Sequence, residues 1–447
     1  MSTSGSGASS SSSATRGGNG GARRPRPGWD IEIWPEDFVE TIIVSIAIAV
    51  AERGTRLAAA QEIANLFMVS STWRAASQSE LLWERLVRVV WGKTMRVRPT
   101  WREEYIYNHR IARNFRTGRA RHYELRFDHS DIRNLFDGTT CRCVALTDTY
   151  LACGFLDGAV RVFDVASRQE IRTFRPLERD FRIGAFAASI SGIILTGHKI
   201  VFSTLDGDIH AAMINEETPV RRIRMGEYVR DGSCASFAGN ERFWVGMYAG
   251  MPNRSFCVWD AATEEILFFG GNFMDHYAGT SGLNMVTDWA EFLARVRVNS
   301  EGIACACTHS RVAVFDMRHD ALQLVNEMRQ DIVVGSFDAN EEACVAVEGF
   351  GLGRVSRVPN LQDIYRFQVG GNHNQREITV GCLNKEHALM GTNGVIRVWK
   401  VKDGGEYLYS LGDRVGELNA IAATERYVAT GGNDDIHLFD FAPQDME

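Results

Sequence analysis

The chain is short of the features that mark several large protein classes. Proline supplies only 9 of 447 residues, which excludes a polyproline stalk or a proline-rich linker as the main architecture. The longest uncharged apolar run is the 11 residues from Thr41 to Ala51, whereas a membrane-spanning helix needs roughly 20. Residues 1–28 hold no Ile, Leu, Val or aromatic side chain, so no secretory signal is expected there. The nine cysteines are an odd number scattered through apolar segments, which suits reduced thiols in an intracellular protein. Disulfide scaffolds and transporters are thereby set aside.

Catalytic signatures are also missing. Gly92-Lys93-Thr94 resembles the end of a phosphate loop, but Val87 stands where that loop needs its first glycine. Gly349, Gly351 and Gly353 lack the last glycine of a dinucleotide fingerprint and lie between strand-like segments. Cys141/Cys143 and Cys305/Cys307 are each spaced by one residue, while finger-type zinc sites want roughly two to four. The expectation is a non-enzyme without metal or cofactor.

What is present comes in three textures. Residues 1–28 contain eight serines, seven glycines and four arginines, the composition of a disordered tail. Its Arg23, Arg24 and Arg26 suit either a nuclear-import patch or a merely solvated tail. Residues 29–118 read as four or five helices. Pro35, Glu36 and Asp37 open the first, and Phe38, Ile42 and Ile46 recur along it. Thr100 and Glu103 form a capping-box signature for the last. From 119 to 447 short alternating apolar runs punctuated by glycine turns take over, the pattern of antiparallel strands.

Repeats decide the architecture of that second part. Segments ending near Phe163, Ile214, Trp259, Phe315, Val358, Trp399 and Phe439 resemble one another and recur 40 to 56 residues apart. A propeller blade takes roughly 40–45 residues, so these units predict a seven-bladed WD-repeat-like β-propeller after an N-terminal helical bundle. The last unit has room for three strands only. Residues 122–128 (HYELRFD) alternate correctly and are expected to close the ring as its outer strand.

Charge is split along the chain. Residues 1–130 carry 19 Lys+Arg against 13 Asp+Glu, and the remainder 30 against 43. The stretch Arg85–Arg126, with 12 basic residues and interleaved aromatics, allows DNA contact. The acidic ring behind it argues against broad phosphate binding. An alternative use of the same aromatics is core packing between bundle and ring.

The helical part carries a more specific signal. Trp34-Pro35, Phe38 and Ile42, then Leu66 to Arg74 (LFMVSSTWR), then Leu82-Trp83-Glu84-Arg85-Leu86 resemble an F-box, with Trp34 for the usual leucine and Ser70 for the usual cysteine. The interval from Pro35 to Trp73 is longer than common, which suggests an inserted loop near Arg53 and Gly54. The resemblance implies docking on an Skp-type adaptor and through it on cullin, with Trp34, Pro35, Phe38, Ile42, Phe67 and Val69 as the contact surface.

Helices and degenerate repeats together resemble the plant STERILE APETALA family. The residues that carry this are Asn114-Phe115-Arg116-Thr117, Cys141-Arg142-Cys143, Asp206–His210, Trp244-Val245-Gly246, His387–Met390, Arg397-Val398-Trp399, Gly405–Ser410 and Arg414–Glu417. The resemblance implies a nuclear substrate receptor of an Skp–cullin–F-box ubiquitin ligase acting in flower development and organ size. It also implies growth-repressing transcriptional regulators of the PEAPOD and KIX type as substrates. Candidate substrate contacts read from the residues are Arg175, Arg179 and Arg182 after the first blade, which suit either an acidic or phosphorylated segment or, as the favoured alternative, a plain solvated loop. Phe273, Tyr277 and Trp289 join them from the insertion at 272–293, which could equally pack on the ring. The alternatives are a transcriptional regulator that binds DNA or a corepressor, and a plain scaffold.

Overall fold

The computed structural model describes residues 35–447 apart from 129–138, 181, 183, 185, 274–293, 319–321, 330–333, 349–350, 369–378, 403, 413 and 445–447. Five helices come first: α1 (Glu36–Arg53), α2 (Arg56–Phe67), α3 (Ser71–Ala76), α4 (Glu80–Leu86) and α5 (Trp101–Thr117). Hydroxyl caps set most of their starts. Thr55, Ser70 and Ser79 accept from Ala58, Trp73 and Leu82 amides, and Thr100 with Glu103 completes the capping box. Pro35 is the cap residue of α1, one position before the expected one. Only Gly54 and Thr55 separate α1 from α2, so the extra length before Trp73 is helix and no loop is inserted. After α4 a π-helical turn, Val87–Trp91, carries Val87, Val90 and Trp91 into the module core beside Ile43, Leu82, Trp83, Leu86 and Tyr105.

The rest is a seven-bladed propeller of four-stranded antiparallel sheets. Blades 1 to 6 occupy residues 141–174, 190–224, 233–270, 294–329, 334–368 and 379–410. Blade 7 takes residues 420–440 and borrows its fourth strand from the other end of the ring. That strand is Arg121–Leu125, paired from Arg121 opposite Asp440 to Leu125 opposite Ile436. Arg126, Phe127 and Asp128 run past it, so the expected 122–128 overshot at its far end. The repeated segments seen in the sequence are the third strands, from Val160–Asp164 in blade 1 to Ile436–Asp440 in blade 7.

Each blade is a short twisted sheet that buries both faces against its neighbours, so second strands such as Tyr150–Phe155 and Phe243–Ala249 are buried at every position. Close approach of the inner strands requires small residues. A Cβ on Gly192 would lie 2.0 Å from the Phe237 carbonyl oxygen of the next blade.

Helix α5 joins the two parts. Its Tyr107, Ile111 and Phe115 share one apolar cluster with Val398, Leu411, Phe439 and Phe441 of the ring. The Phe115 ring stacks on Phe441 at 4.2 Å and on His387 at 4.7 Å. Gly118 ends the helix at φ +71°, and a Cβ there would press on the Tyr409 ring at 2.8 Å. The module is fixed to the ring by packing.

Candidate protein-interaction surfaces

Helix α1 is apolar on two adjacent stripes. Val39, Ile43 and Ala47 are buried in the module. One residue earlier on each turn, Phe38 is 43% exposed, and Ile42 and Ile46 are half-buried. At the end of α2, Met68 and Val69 are 68% and 64% exposed, and Leu81 at the start of α4 is 49% exposed. Apolar side chains displayed together at helical spacing are what a docking face needs. Pro35 is exposed beside them, while Trp34 lies outside the described residues. Phe67 belongs elsewhere: its ring packs on Trp83 at 5.7 Å, half-buried inside the module.

The module sits on one face of the ring, over blades 6, 7 and 1. Arg56, itself buried, donates through Nε to Glu386 at 2.9 Å and also pairs with Glu425; Lys93 reaches Asp148 at 3.4 Å. These three carboxylates sit in the turns between first and second strands of blades 6, 7 and 1. Burial alone would raise the Glu386 carboxyl, but the Arg56 charge and two hydrogen bonds from Arg56 hold it below its ordinary value. Sequence reasoning missed Arg56, because its partners lie more than 300 residues away and no local pattern announces them.

On an antiparallel blade the second-to-third-strand turns and the blade-to-blade connections lie at the opposite end from the first turns. Arg175, Arg179 and Arg182 are on that open face, but their charges are already engaged. Arg175 meets Asp157 at 3.2 Å, Arg179 meets Asp208 at 3.1 Å, and Arg182 pairs with Asp206. His210 in the same lock accepts a hydrogen bond from the Leu177 amide through Nε2. Burial, with Arg222 and Arg182 nearby, pushes its imidazole down to about 3. The arginines therefore brace the joint between blades 1 and 2 from within. Phe273 is buried too, between Phe256 at 5.6 Å and Phe315 at 5.8 Å, and fills the gap between blades 3 and 4. Tyr277 and Trp289 lie outside the described residues.

The open face instead displays a group that the sequence reading passed over. Met225 and Val229, in the connection from blade 2 to blade 3, are 54% and 82% exposed, and Met251 in the next turn is 37% exposed. The connection that carries Met225 and Val229 ends on Asp231, a buried carboxylate that accepts from Arg224, Arg230 and Arg254. Exposed apolar side chains on a connection anchored by such an ion-paired carboxylate suit a protein partner. Among the described residues, no cluster of three or more His, Cys, Asp or Glu is placed to hold a metal, and no helix is long and apolar enough to cross a membrane.

A small helical module packed on one face of a closed seven-bladed ring defines a WD-repeat-type propeller protein. Two solved structures share the ring: that of U3-55K and that of the RRP9 WD40 repeats, each with a TM-score of 0.52 and 11% identity over 71% of this chain. They span 98% and 97% of those chains and show the fold alone. No protein-family model matches. The curated relative "Transcriptional regulator STERILE APETALA" of Arabidopsis thaliana is 42% identical over 438 residues, covering 95% of this chain and 97% of that one. The chain belongs to the STERILE APETALA family.

Proposed function

We propose that the protein is the substrate receptor of an Skp–cullin–F-box ubiquitin ligase that acts on transcriptional regulators in the nucleus. Its role is non-catalytic: it holds a bound protein near a ubiquitin-charged enzyme and raises the effective concentration of that protein's lysines. The observation that supports this most is the partly exposed apolar stripe of α1, Phe38 with Ile42 and Ile46, together with the exposed Met68 and Val69 at the end of α2. Pro35, Phe38, Ile42 and Val69 form the adaptor surface, and Phe67 supports it from beneath. Substrate meets the open face of the ring, around Met225, Val229 and Met251. The relative's name supports action on transcription, and the resemblance to the family supports PEAPOD- and KIX-type repressors as substrates.

Co-purification with a plant Skp-type adaptor tests the reading. The intact chain should retain the adaptor, and a Phe38→Ala/Val69→Ala variant should lose it while staying folded. Failure of the folded intact chain to bind any such adaptor would remove the ligase role. A second reading, transcriptional regulation through DNA, draws on the exposed Arg102, Arg110, Arg113 and Arg116 of α5 and on the relative's name. It requires DNA binding that falls steeply with salt.

A further inference from the structure

Between the outer strands of blades 2 and 3, Arg221–Arg224 and Ile266–Gly270, lies a groove of about 420 Å³ on the rim of the ring. It runs from Glu264 and Ile266, where the blade 3 strand begins, to Arg230 and Arg254 at the open face. Its apolar lining includes the half-buried Phe269 and the exposed Ile266 and Met225.

Three guanidiniums converge at the open end. The buried Asp231 carboxylate takes Arg224 at 2.6 Å, Arg254 at 2.7 Å and Arg230 at 2.9 Å. Arg224 and Arg254 also lie over the Phe269 ring, at 5.1 and 5.0 Å from its centroid. Two cations therefore share one ring as well as one carboxylate. The other anions here are engaged too. Glu227 meets Arg230 at 3.1 Å, and Glu264 meets Lys199 at 3.1 Å and Arg221 at 2.7 Å. Five cations thus share three carboxylates along the groove, in a part of the chain where carboxylates otherwise outnumber cations. Arg254 reaches Asp231 through Nη1, and with its side chain 37% exposed the rest of its planar fork can take a second carboxylate.

We propose that this groove binds an extended acidic segment of a protein partner, a bulky apolar residue flanked by Asp or Glu. The apolar side chain packs against Phe269, Ile266 and Met225, and a neighbouring carboxylate pairs with Arg254 and Arg230, where it offsets the local excess of positive charge. An outer strand of this length matches about five extended residues. The acidic ring disfavours a nucleic-acid backbone in the same place. The proposal rests on the reading of the open face as the substrate surface and gives the substrate segment its chemistry.

Fluorescence anisotropy of a labelled eight-residue peptide, with a Leu-Phe pair between two pairs of glutamates and glycine at each end, tests the groove on the full chain. Saturable one-to-one binding is expected, and a counterpart with glutamine for every glutamate should bind about tenfold more weakly or worse. Arg254→Gln should weaken the acidic peptide about fivefold or more, and Ile266→Ser about threefold. If Arg254→Gln fails to fold, the comparison of the two peptides on the intact chain and the Ile266→Ser variant decide in its place. Absence of saturable binding, equal affinity for both peptides, or unchanged affinity in folded variants would overturn the proposal. So would displacement of the acidic peptide by an oligothymidylate at lower concentration than by the unlabelled peptide, which would make the groove a nucleic-acid site. Adaptor retention, measured on the same preparations, separates the two readings. Adaptor held without peptide binding removes the groove alone, and peptide bound without adaptor removes the ligase role alone.

Discussion

Phe38 and Phe115 belong to the same five-helix module, yet one is 43% exposed and the other 1%. The side of the module that faces the ring spends its aromatics on packing: Phe115 lies against His387 and Phe441, and Tyr107 and Ile111 share their cluster. The outer side leaves Phe38 partly exposed and Met68 and Val69 mostly exposed. Identical residue types thus serve two ends, and burial separates them. The ring-facing set packs module and propeller together, and the outer set keeps its apolar surface at least partly exposed.

Substitutions can sharpen or break that contrast. Phe115→Ala should have the largest effect, about 3–5 kcal/mol of stability in urea unfolding, since a buried ring stacked on two others is lost. A cost near that of a surface change would mean that module and ring are not packed as one. Arg56→Gln comes next, at about 3 kcal/mol, because it leaves Glu386 largely buried without its cation. Its pH dependence has a definite sign. The Glu386 carboxyl is held below 4.5, so the pair contributes above that pH and its contribution is lost as pH falls. The deficit of the variant should therefore shrink on acidification, and a deficit constant with pH would count against the pair.

His387 offers a third test. Burial lowers its imidazole from 6.5 to about 4, so the fold holds it neutral while the unfolded chain takes up a proton. Stability then falls as pH drops from 6.5 towards 4, by on the order of 2 kcal/mol from this residue. His387→Asn should lose that part of the slope in unfolding curves recorded across the interval. At the other extreme, Val229→Ser on the open face should change stability by less than about 0.5 kcal/mol, because its side chain is 82% exposed. A loss beyond that would show Val229 to be a packing residue.

Much of the fold was legible in the sequence because it is built from local repetition. The third strand of every blade carries the same alternation, and Thr100 with Glu103 announced the start of α5 through chemistry confined to four residues. The ring's closure was readable because one unit lacked a strand and one strand lacked a unit. The surfaces were harder. Arg175, Arg179 and Arg182 read as a solvated loop or as cations for an acidic segment, and their partners Asp157, Asp206 and Asp208 come from two turns brought together only by the ring. Phe273, on an insertion that suited either a substrate contact or packing on the ring, fills a cleft between blades. Phe67 shares the helical stripe of α2 with exposed neighbours and is turned inward by Trp83. Periodicity gives the face of an element, whereas what covers that face depends on contacts remote in the chain.

The contrast between the two sides of the module is tested most directly by measuring adaptor affinity and unfolding free energy together for Phe38→Ala and Phe115→Ala. The account predicts that Phe38→Ala weakens binding of an Skp-type adaptor by about 2 kcal/mol or more at nearly unchanged stability, as an exposed interface anchor should. Phe115→Ala should lose stability yet bind the adaptor as the intact chain does at temperatures where it remains folded. Adaptor binding that survives Phe38→Ala undiminished would contradict the account.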